Sequence, residues 1–241
     1  MLEGRWIEVD DHRIHYVDAG GGFPLIMLHG GANDWHDWEE NIEPLAQHYR
    51  VIAPDIAGFG KSDKSKSAYG IDDFVHYLEG FVDALGLELL HLAGHSLGGR
   101  VGLEFACLHP EQVSKLIAVA PFGFGRLSTC GFILGVITYW GRKLLFRRQP
   151  YPTLKLDYSR NGFKEFTDKL KNLEVPTMIV WGEKDIYLPL DHAYLANGIL
   201  SNSQLKVMPD CGHAPQSTNG ALFNKLVVDF LAEGGAGQTS G

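Results

Sequence analysis

The stretch Gly94-His95-Ser96-Leu97-Gly98-Gly99 joins an apolar run, Leu89-Leu90-His91-Leu92-Ala93, to a segment of helical pattern, Arg100 to His109, that ends at Pro110. Proline cannot continue a helix, so the segment stops there. A serine between small residues at a strand-to-helix junction has the pattern of a nucleophile elbow, where the chain reverses so sharply that neighbouring side chains would clash. The pattern G-x-S-x-G alone is weak, because a chain with 29 glycines matches it by chance about 0.2 times. Its surroundings carry the weight.

With 241 residues, 45% hydrophobic and 21% charged, the chain is long enough to bury one sizeable α/β core and reads as a single domain with no internal repeat. A net charge of -8 disfavours nucleic acid as a partner and electrostatic adsorption to anionic membranes. Cys107, Cys130 and Cys211 show no C-x-x-C spacing, and an odd count suits a reducing compartment, so the expected location is cytoplasmic. Met1 to Trp6 lacks the apolar core of a signal peptide. The longest apolar candidate, Phe132 to Trp140, falls far short of the roughly 20 residues that span a bilayer.

Around the elbow, strand patterns alternate with helical ones. Trp6 to Val9 and Arg13 to Val17 alternate apolar and polar positions about Asp10-Asp11, which predicts a leading antiparallel hairpin. Leu25 to Leu28, Val51 to Ala53, Leu89 to Ala93, Leu116 to Val119, Thr177 to Val180 and Leu205 to Met208 are short runs apolar on both faces, as in parallel strands covered by helices. Ile71, Phe74, Leu78, Phe81, Val82 and Leu85 mark a helix with Asp72 and Asp73 in its first turn and Gly86 as its stop; Leu222 to Leu231 mark a closing one. Residues 234–241 read as a disordered tail.

One segment breaks the alternation. Residues 121–173 separate two predicted core strands by far more than an ordinary α/β connection, which predicts an insertion over the site. Phe132, Ile133, Leu134, Val136, Ile137, Tyr139 and Trp140 predict an apolar surface there, followed by the basic cluster Arg142, Lys143, Arg147 and Arg148. The plain reading is a small helical subdomain with a solvated basic edge; the functional one adds an acyl-binding wall.

A serine hydroxyl is a weak nucleophile near neutral pH. It needs a neutral imidazole to take its proton, and that imidazole needs a carboxylate to fix its tautomer. His213 follows the last predicted strand in Asp210-Cys211-Gly212-His213-Ala214-Pro215, a loop able to place a side chain over the sheet edge. The other histidines have structural alternatives on strand, hairpin or helix positions; His91 falls in a buried strand and His95 beside the serine. For the acid, Asp185 follows the strand ending at Trp181, at the carboxyl edge where open α/β sheets hold ligands. Asp191 reads as a helix start and Asp210 lies too near His213 to need a separate role. Acyl transfer also needs two backbone N–H groups aimed at the developing oxyanion. Leu97, directly after the serine, is one candidate; the other comes from the turn His29-Gly30-Gly31-Ala32, with Gly31 first and Ala32 second. His29 reads as a brace for that turn.

The chain resembles the α/β-hydrolase superfamily over nearly its whole length: His29-Gly30-Gly31, Asp55-Ile56-Ala57-Gly58-Phe59-Gly60-Lys61-Ser62, the Ser96 elbow, Trp181-Gly182-Glu183-Lys184-Asp185 with Pro189, and Gly212-His213 stand in family order. The resemblance implies an α/β fold with a mostly parallel eight-stranded sheet flanked by helices, a core of residues 1–120 and 174–233, and a short helical cap of residues 121–173. The segment from Asp55 to Ser62 reads as structural. The implied catalytic residues are Ser96, Asp185 and His213, with Gly31 and Leu97 as oxyanion donors; no metal or organic cofactor is implied. Ser96 disfavours the dehalogenases and epoxide hydrolases, which use aspartate there, and the missing third glycine of His29-Gly30-Gly31-Ala32 disfavours the hormone-sensitive-lipase-like branch.

The expected activity is that of a serine carboxylesterase acting on short- to medium-chain acyl esters, its partner a small-molecule ester. The cap is shorter than the family's usual one, which predicts an open pocket. Carbon–carbon bond hydrolases of ring-fission products share the triad but carry a more glycine- and proline-rich sequence than Ala32-Asn33-Asp34-Trp35-His36-Asp37-Trp38 after the His-Gly turn. They stay open as an alternative, as do perhydrolases and a ligand-binding receptor of this fold.

Overall fold

The computed structural model describes residues 2–64, 68–146, 152–157 and 159–233, without the side chains of 138, 139, 142, 143, 145 and 146. Strands β1 (Gly4–Val9) and β2 (His12–Gly20) form the leading hairpin, closed at Asp10 with φ 47°. The chain continues through β3 (Pro24–Leu28), a 3₁₀ turn (Trp35–Trp38), α1 (Glu39–Leu45), β4 (Arg50–Pro54), β5 (Ala68–Tyr69), α2 (Ile71–Ala84), β6 (Leu90–His95), α3 (Leu97–Leu108) and β7 (Val113–Val119). It ends with α4 (Thr129–Phe146), β8 (Thr153–Leu154), α5 (Arg160–Leu170), β9 (Thr177–Gly182), α6 (Asp191–Ile199), β10 (Ser203–Met208), α7 (Pro215–Thr218) and α8 (Gly220–Ala232).

Eight strands form one sheet in the order β1-β2-β4-β3-β6-β7-β9-β10. β2 is antiparallel to β1 and β4, and every other pairing in the sheet is parallel. The parallel strands are apolar on both faces because both are covered. Ile26, Leu28, Leu92 and Ile179 point to a core completed by Phe74 and Phe81 of α2, Phe105 of α3 and Ala193 of α6. Their alternates Leu25, Met27, Ala93 and Met178 point to a second core with Ile42 and Leu45 of α1 and Phe223, Val227 and Phe230 of α8.

Pro44 lies inside α1 and has no N–H to give to the carbonyl of Glu40 one turn back. Asn224 Nδ2 of α8 donates to that carbonyl instead, at 3.1 Å. Thus the interruption in one helix is satisfied by its neighbour.

Helix α3 starts at Leu97, three residues before the pattern-based start, because Gly98 and Gly99 weaken the sequence signal of its first turn. The two-residue strands β5 and β8 pair in parallel as a small second sheet, too short to leave a periodic trace in the sequence. Between β7 and β9 lie α4, β8 and α5. On α4, Phe132, Ile133, Val136, Ile137 and Leu144 are exposed, whereas Gly131 is buried and Gly135 half-buried. At about 100° per residue, the large side chains fall on one stripe and the two glycines on the opposite one. The helix therefore turns Gly131 and Gly135 inward. Arg147 and Arg148 of the basic cluster and the expected tail, residues 234–241, lie outside the described residues. Among the described residues, no helix is long and apolar enough to cross a membrane.

Candidate active site

From the carboxyl end of β3 the chain goes to β4 on one side, and from that of β6 it goes to β7 on the other, so the two connections diverge and open a crevice between β3 and β6. Ser96 sits above it at φ 51°, ψ -107°, a conformation non-glycine residues rarely adopt. The glycines around it answer to specific contacts. A Cβ on Gly94 would overlap the carbonyl oxygen of Gly98, one on Gly98 that of Leu28, and one on Gly99 would lie 2.9 Å from that of Gly94. The Ser96 amide is anchored on Val119 O at 2.8 Å, and its carbonyl accepts from Phe122 N at 3.1 Å.

The loops after β9 and β10 are pressed together where Gly182 meets the backbone of Cys211 and Gly212, with no room for a side chain. This brings Asp185 and His213 into contact. Ser96 Oγ stands 3.0 Å from His213 Nε2, and His213 Nδ1 stands 2.7 Å from Asp185 Oδ2. The remaining Asp185 oxygen accepts from the amides of Tyr187 and Leu188, at 2.8 and 2.9 Å. The Asp185 side chain is fully buried while that of His213 is 19% exposed, so the carboxylate is enclosed and the imidazole reaches the crevice. Burial pushes the His213 pKa down, the hydrogen bond to Asp185 opposes it, and the charge of His95 adds to the lowering; the net shift is downward. Asp191 opens α6, and Asp210 pairs on the surface with Lys184 at 2.6 Å.

Gly31 lies against Leu97 across the crevice: a Cβ on Gly31 would be 3.8 Å from Leu97 Cβ, ordinary contact. Leu97 opens α3, so its amide is among the first-turn donors that have no partner within the helix. His29 Nε2 accepts from Ile56 N at 2.9 Å, which leaves Nδ1–H to donate to Gly30 O at 2.7 Å. His29 thereby ties the turn to the strand beside it. Asp55 accepts from the amides of Trp35 and Lys61 and faces His15 Nδ1 at 2.9 Å, a buried clasp behind the crevice rim.

A cavity of about 510 Å³ opens above Ser96 and His213. Gly31, Ala32, Leu97, Phe122, Leu154, Leu156 and Tyr187 wall it, and α4 closes it with Gly131 and Gly135. The wall expected from Phe132 to Trp140 is thus provided by glycines of the same helix, because a helical stripe shows only one side to the site. Asp37 and Tyr187 were not legible as site residues. Asp37 belongs to no motif; its one signal is its place seven residues after Gly30, in the loop that follows β3.

The fold, the elbow and the crevice define the class: the chain belongs to the α/β-hydrolase family, whose model, described as alpha/beta hydrolase fold, matches residues 24–133 and 132–220. Among curated proteins it is 33% identical to 2-hydroxy-6-oxo-6-phenylhexa-2,4-dienoate hydrolase of Burkholderia cepacia, covering 94% of this chain and 93% of that protein. It is also 33% identical to 2-hydroxymuconate semialdehyde hydrolase of Pseudomonas sp. strain CF600, covering 98% and 96%. A solved structure of the meta-cleavage product hydrolase from Pseudomonas fluorescens IP01 superposes with a TM-score of 0.77 at 26% identity, covering 95% of this chain and 98% of that one. The chain is a hydrolase of this fold, and these relatives are named for ring-fission products, whereas the sequence reading put carboxyl esters first.

Proposed function

We propose that Ser96, His213 and Asp185 are the catalytic triad of a serine hydrolase that breaks a carbon–carbon bond beside the ketone of a ring-fission dienoate, with residues 121–173 as its cap. One observation carries the choice of substrate: likeness over more than nine-tenths of the chain to hydrolases named for 6-oxo-dienoates and related semialdehydes. Such a substrate has no ester to cleave. A proton must first move from the 2-hydroxyl to C5, giving a 2,6-dioxo form. Ser96 Oγ then adds to C6 while His213 Nε2 takes its proton, and Asp185 holds the other ring nitrogen. The amides of Leu97 and Gly31 receive the oxyanion. As the tetrahedral centre collapses, the C5–C6 bond breaks and its electron pair delocalises onto the 2-oxygen as a dienolate, which takes the proton from His213. Water, deprotonated by His213, then releases the acyl group from Ser96.

Carboxyl-ester hydrolysis is the second reading, and the cavity favours it in one respect: its described lining residues include neither Lys nor Arg to meet a dienoate carboxylate. Both readings use the same acyl-enzyme. The deciding experiment supplies the purified protein with a 6-oxo-6-phenyl dienoate, followed by loss of its conjugated absorbance and by identification of the two acids, and in parallel with a chain-length series of p-nitrophenyl esters. Efficient formation of benzoate and a hydroxypentadienoate supports the first reading. Ester turnover with the dienoate left intact overturns it in favour of the second.

The lowered His213 pKa fixes a pH response. A protonated imidazole cannot accept the Ser96 proton, so activity falls as pH drops through that pKa. The acid limb of kcat/KM, which reports the free enzyme, is expected below pH 6.5, the ordinary histidine value. A rate profile from about pH 4.5 to 8 checks this, and a limb above 6.5 would contradict the downward shift of His213.

A further inference from the structure

Two buried side chains outside the triad reach the segments that carry its serine and its histidine. Asp37, in the 3₁₀ turn after β3, and His95, the residue before Ser96, have side chains only 4% and 7% exposed, and Asp37 Oδ2 stands 2.7 Å from His95 Nδ1. The same oxygen accepts from Gly30 N at 2.8 Å, one residue before the candidate oxyanion donor Gly31. The other oxygen accepts from Gln216 Nε2 of α7 at 3.2 Å. On its far side His95 Nε2 reaches the backbone carbonyl of His213 at 2.9 Å.

These partners define the charges. A carbonyl oxygen only accepts, so Nε2 of His95 carries a proton. Both oxygens of Asp37 accept from N–H groups, which favours the ionised carboxylate, and that carboxylate takes its third hydrogen bond from Nδ1–H of His95. His95 is therefore an imidazolium and Asp37 a carboxylate, a buried ion pair with hydrogen bonds on either side. Burial by itself would raise the Asp37 pKa, but the His95 charge and hydrogen bond hold it well below the usual carboxylate range. Burial would likewise lower that of His95, and the charge and hydrogen bond of Asp37 raise it overall.

We propose that the Asp37–His95 ion pair is the positioning element of the site, holding the backbone of His213 and the Gly30-Gly31 turn in register with Ser96. Neither residue lines the cavity, so neither contacts the substrate. The pair joins three separate pieces of chain: the elbow, the oxyanion turn, and the base loop with the start of α7. It rests on the triad reading, because it acts through Ser96, His213 and Gly31.

The pair also sets the field at His213. The groups around that imidazole are Asp185 from the loop after β9, Tyr187 with its ring 5.2 Å away, His95 with its ring 4.9 Å away, and Asp37 behind His95. In His95→Asn the Asp37 carboxylate loses its counter-charge, and its negative potential favours protonated His213. The acid limb of kcat/KM should then move up by about one unit. In the double variant Asp37→Asn/His95→Asn no net charge is left, and the limb should return toward its wild-type position.

The test compares wild type, His95→Asn, Asp37→Asn and the double variant on whichever substrate the wild type turns over, with thermal melts to verify folding and Ser96→Ala as control. Each folded single variant should lose about 10- to 100-fold in kcat, with KM changed by less than about threefold. The double variant should lose no more than the worse single, since the two side chains act as one unit. It replaces an ion pair by an uncharged amide pair and leaves no buried charge alone, so it keeps the test decisive where a single variant fails to fold. Wild-type kcat in a folded double variant, or an unmoved acid limb in folded His95→Asn, overturns the proposal. Retained turnover in Ser96→Ala would instead bring down the triad reading beneath it, so the two failures are distinct.

Discussion

Ser96→Ala is expected to lower kcat by at least about 10³-fold with the fold and melting temperature intact. In the proposed triad Oγ forms the acyl bond, and no other nucleophile among the described residues stands in its place. The neighbouring cysteine, Cys211, is buried in the core below the sheet edge, with its thiol pKa raised by burial, so it supplies no substitute thiolate. Alanine keeps the backbone at position 96, so the amides of Leu97 and Gly31 still face the crevice, and residual activity should reflect them. His213→Ala should cost a similar factor, and combining the two should cost little more, because nucleophile and base act as a unit. Steady-state and burst kinetics at high enzyme concentration check this. Near wild-type turnover in either variant, free of contaminating hydrolase, would sink the assignment.

Gly98→Ala should be among the most damaging changes that touch no catalytic side chain. The added Cβ would overlap the carbonyl oxygen of Leu28 and lie 2.6 Å from that of His29. Both are backbone atoms, with no rotamer to yield, so α3 and the end of β3 must separate. Overpacking typically costs about 1–3 kcal/mol; with backbone on both sides the upper end is expected, a fall in melting temperature of roughly 6–12 °C for a chain of this size. The turn that moves carries Gly31, so kcat should fall even well below the melting transition. Gly198→Ala, in α6 where a Cβ meets nothing within 4 Å, is the control. It should stabilise slightly, by about 0.5–1 kcal/mol. Equal melting temperatures for the two variants would contradict the close approach at Gly98.

The sheet was legible because each parallel strand is apolar on both faces and each turn carries a motif. The runs from Leu25 to Met208 mark β3 to β10 to within a few residues, apart from the two-residue strands β5 and β8. Ser96, Asp185 and His213 were legible for a different reason: sharp turns leave glycines behind, and glycines are visible in a sequence. Asp37 left no such trace, since its role depends on His95 and Gln216 arriving from two other parts of the chain. The wall from α4 was misjudged on physical grounds. Hydrophobicity shows that a helix is apolar, but the side that faces the site is decided by packing, and here Gly131 and Gly135 face it. Substrate choice is hardest to read, because the same triad serves an ester and a carbon–carbon bond.

Gly131 and Gly135 of α4 are not equal. A Cβ on Gly131 would lie 2.7 Å from Tyr187 Cα, whereas one on Gly135 would enter open space. Position 135 is therefore a single place from which the cavity can be filled in steps. Alanine, leucine or methionine at 135 would shorten it stepwise. Because glycine in a helix interior costs about 1 kcal/mol relative to alanine, any of the three would also strengthen the helix relative to glycine. Redesign of acyl-chain selectivity usually trades stability for activity; at this position the two would be tuned in the same direction.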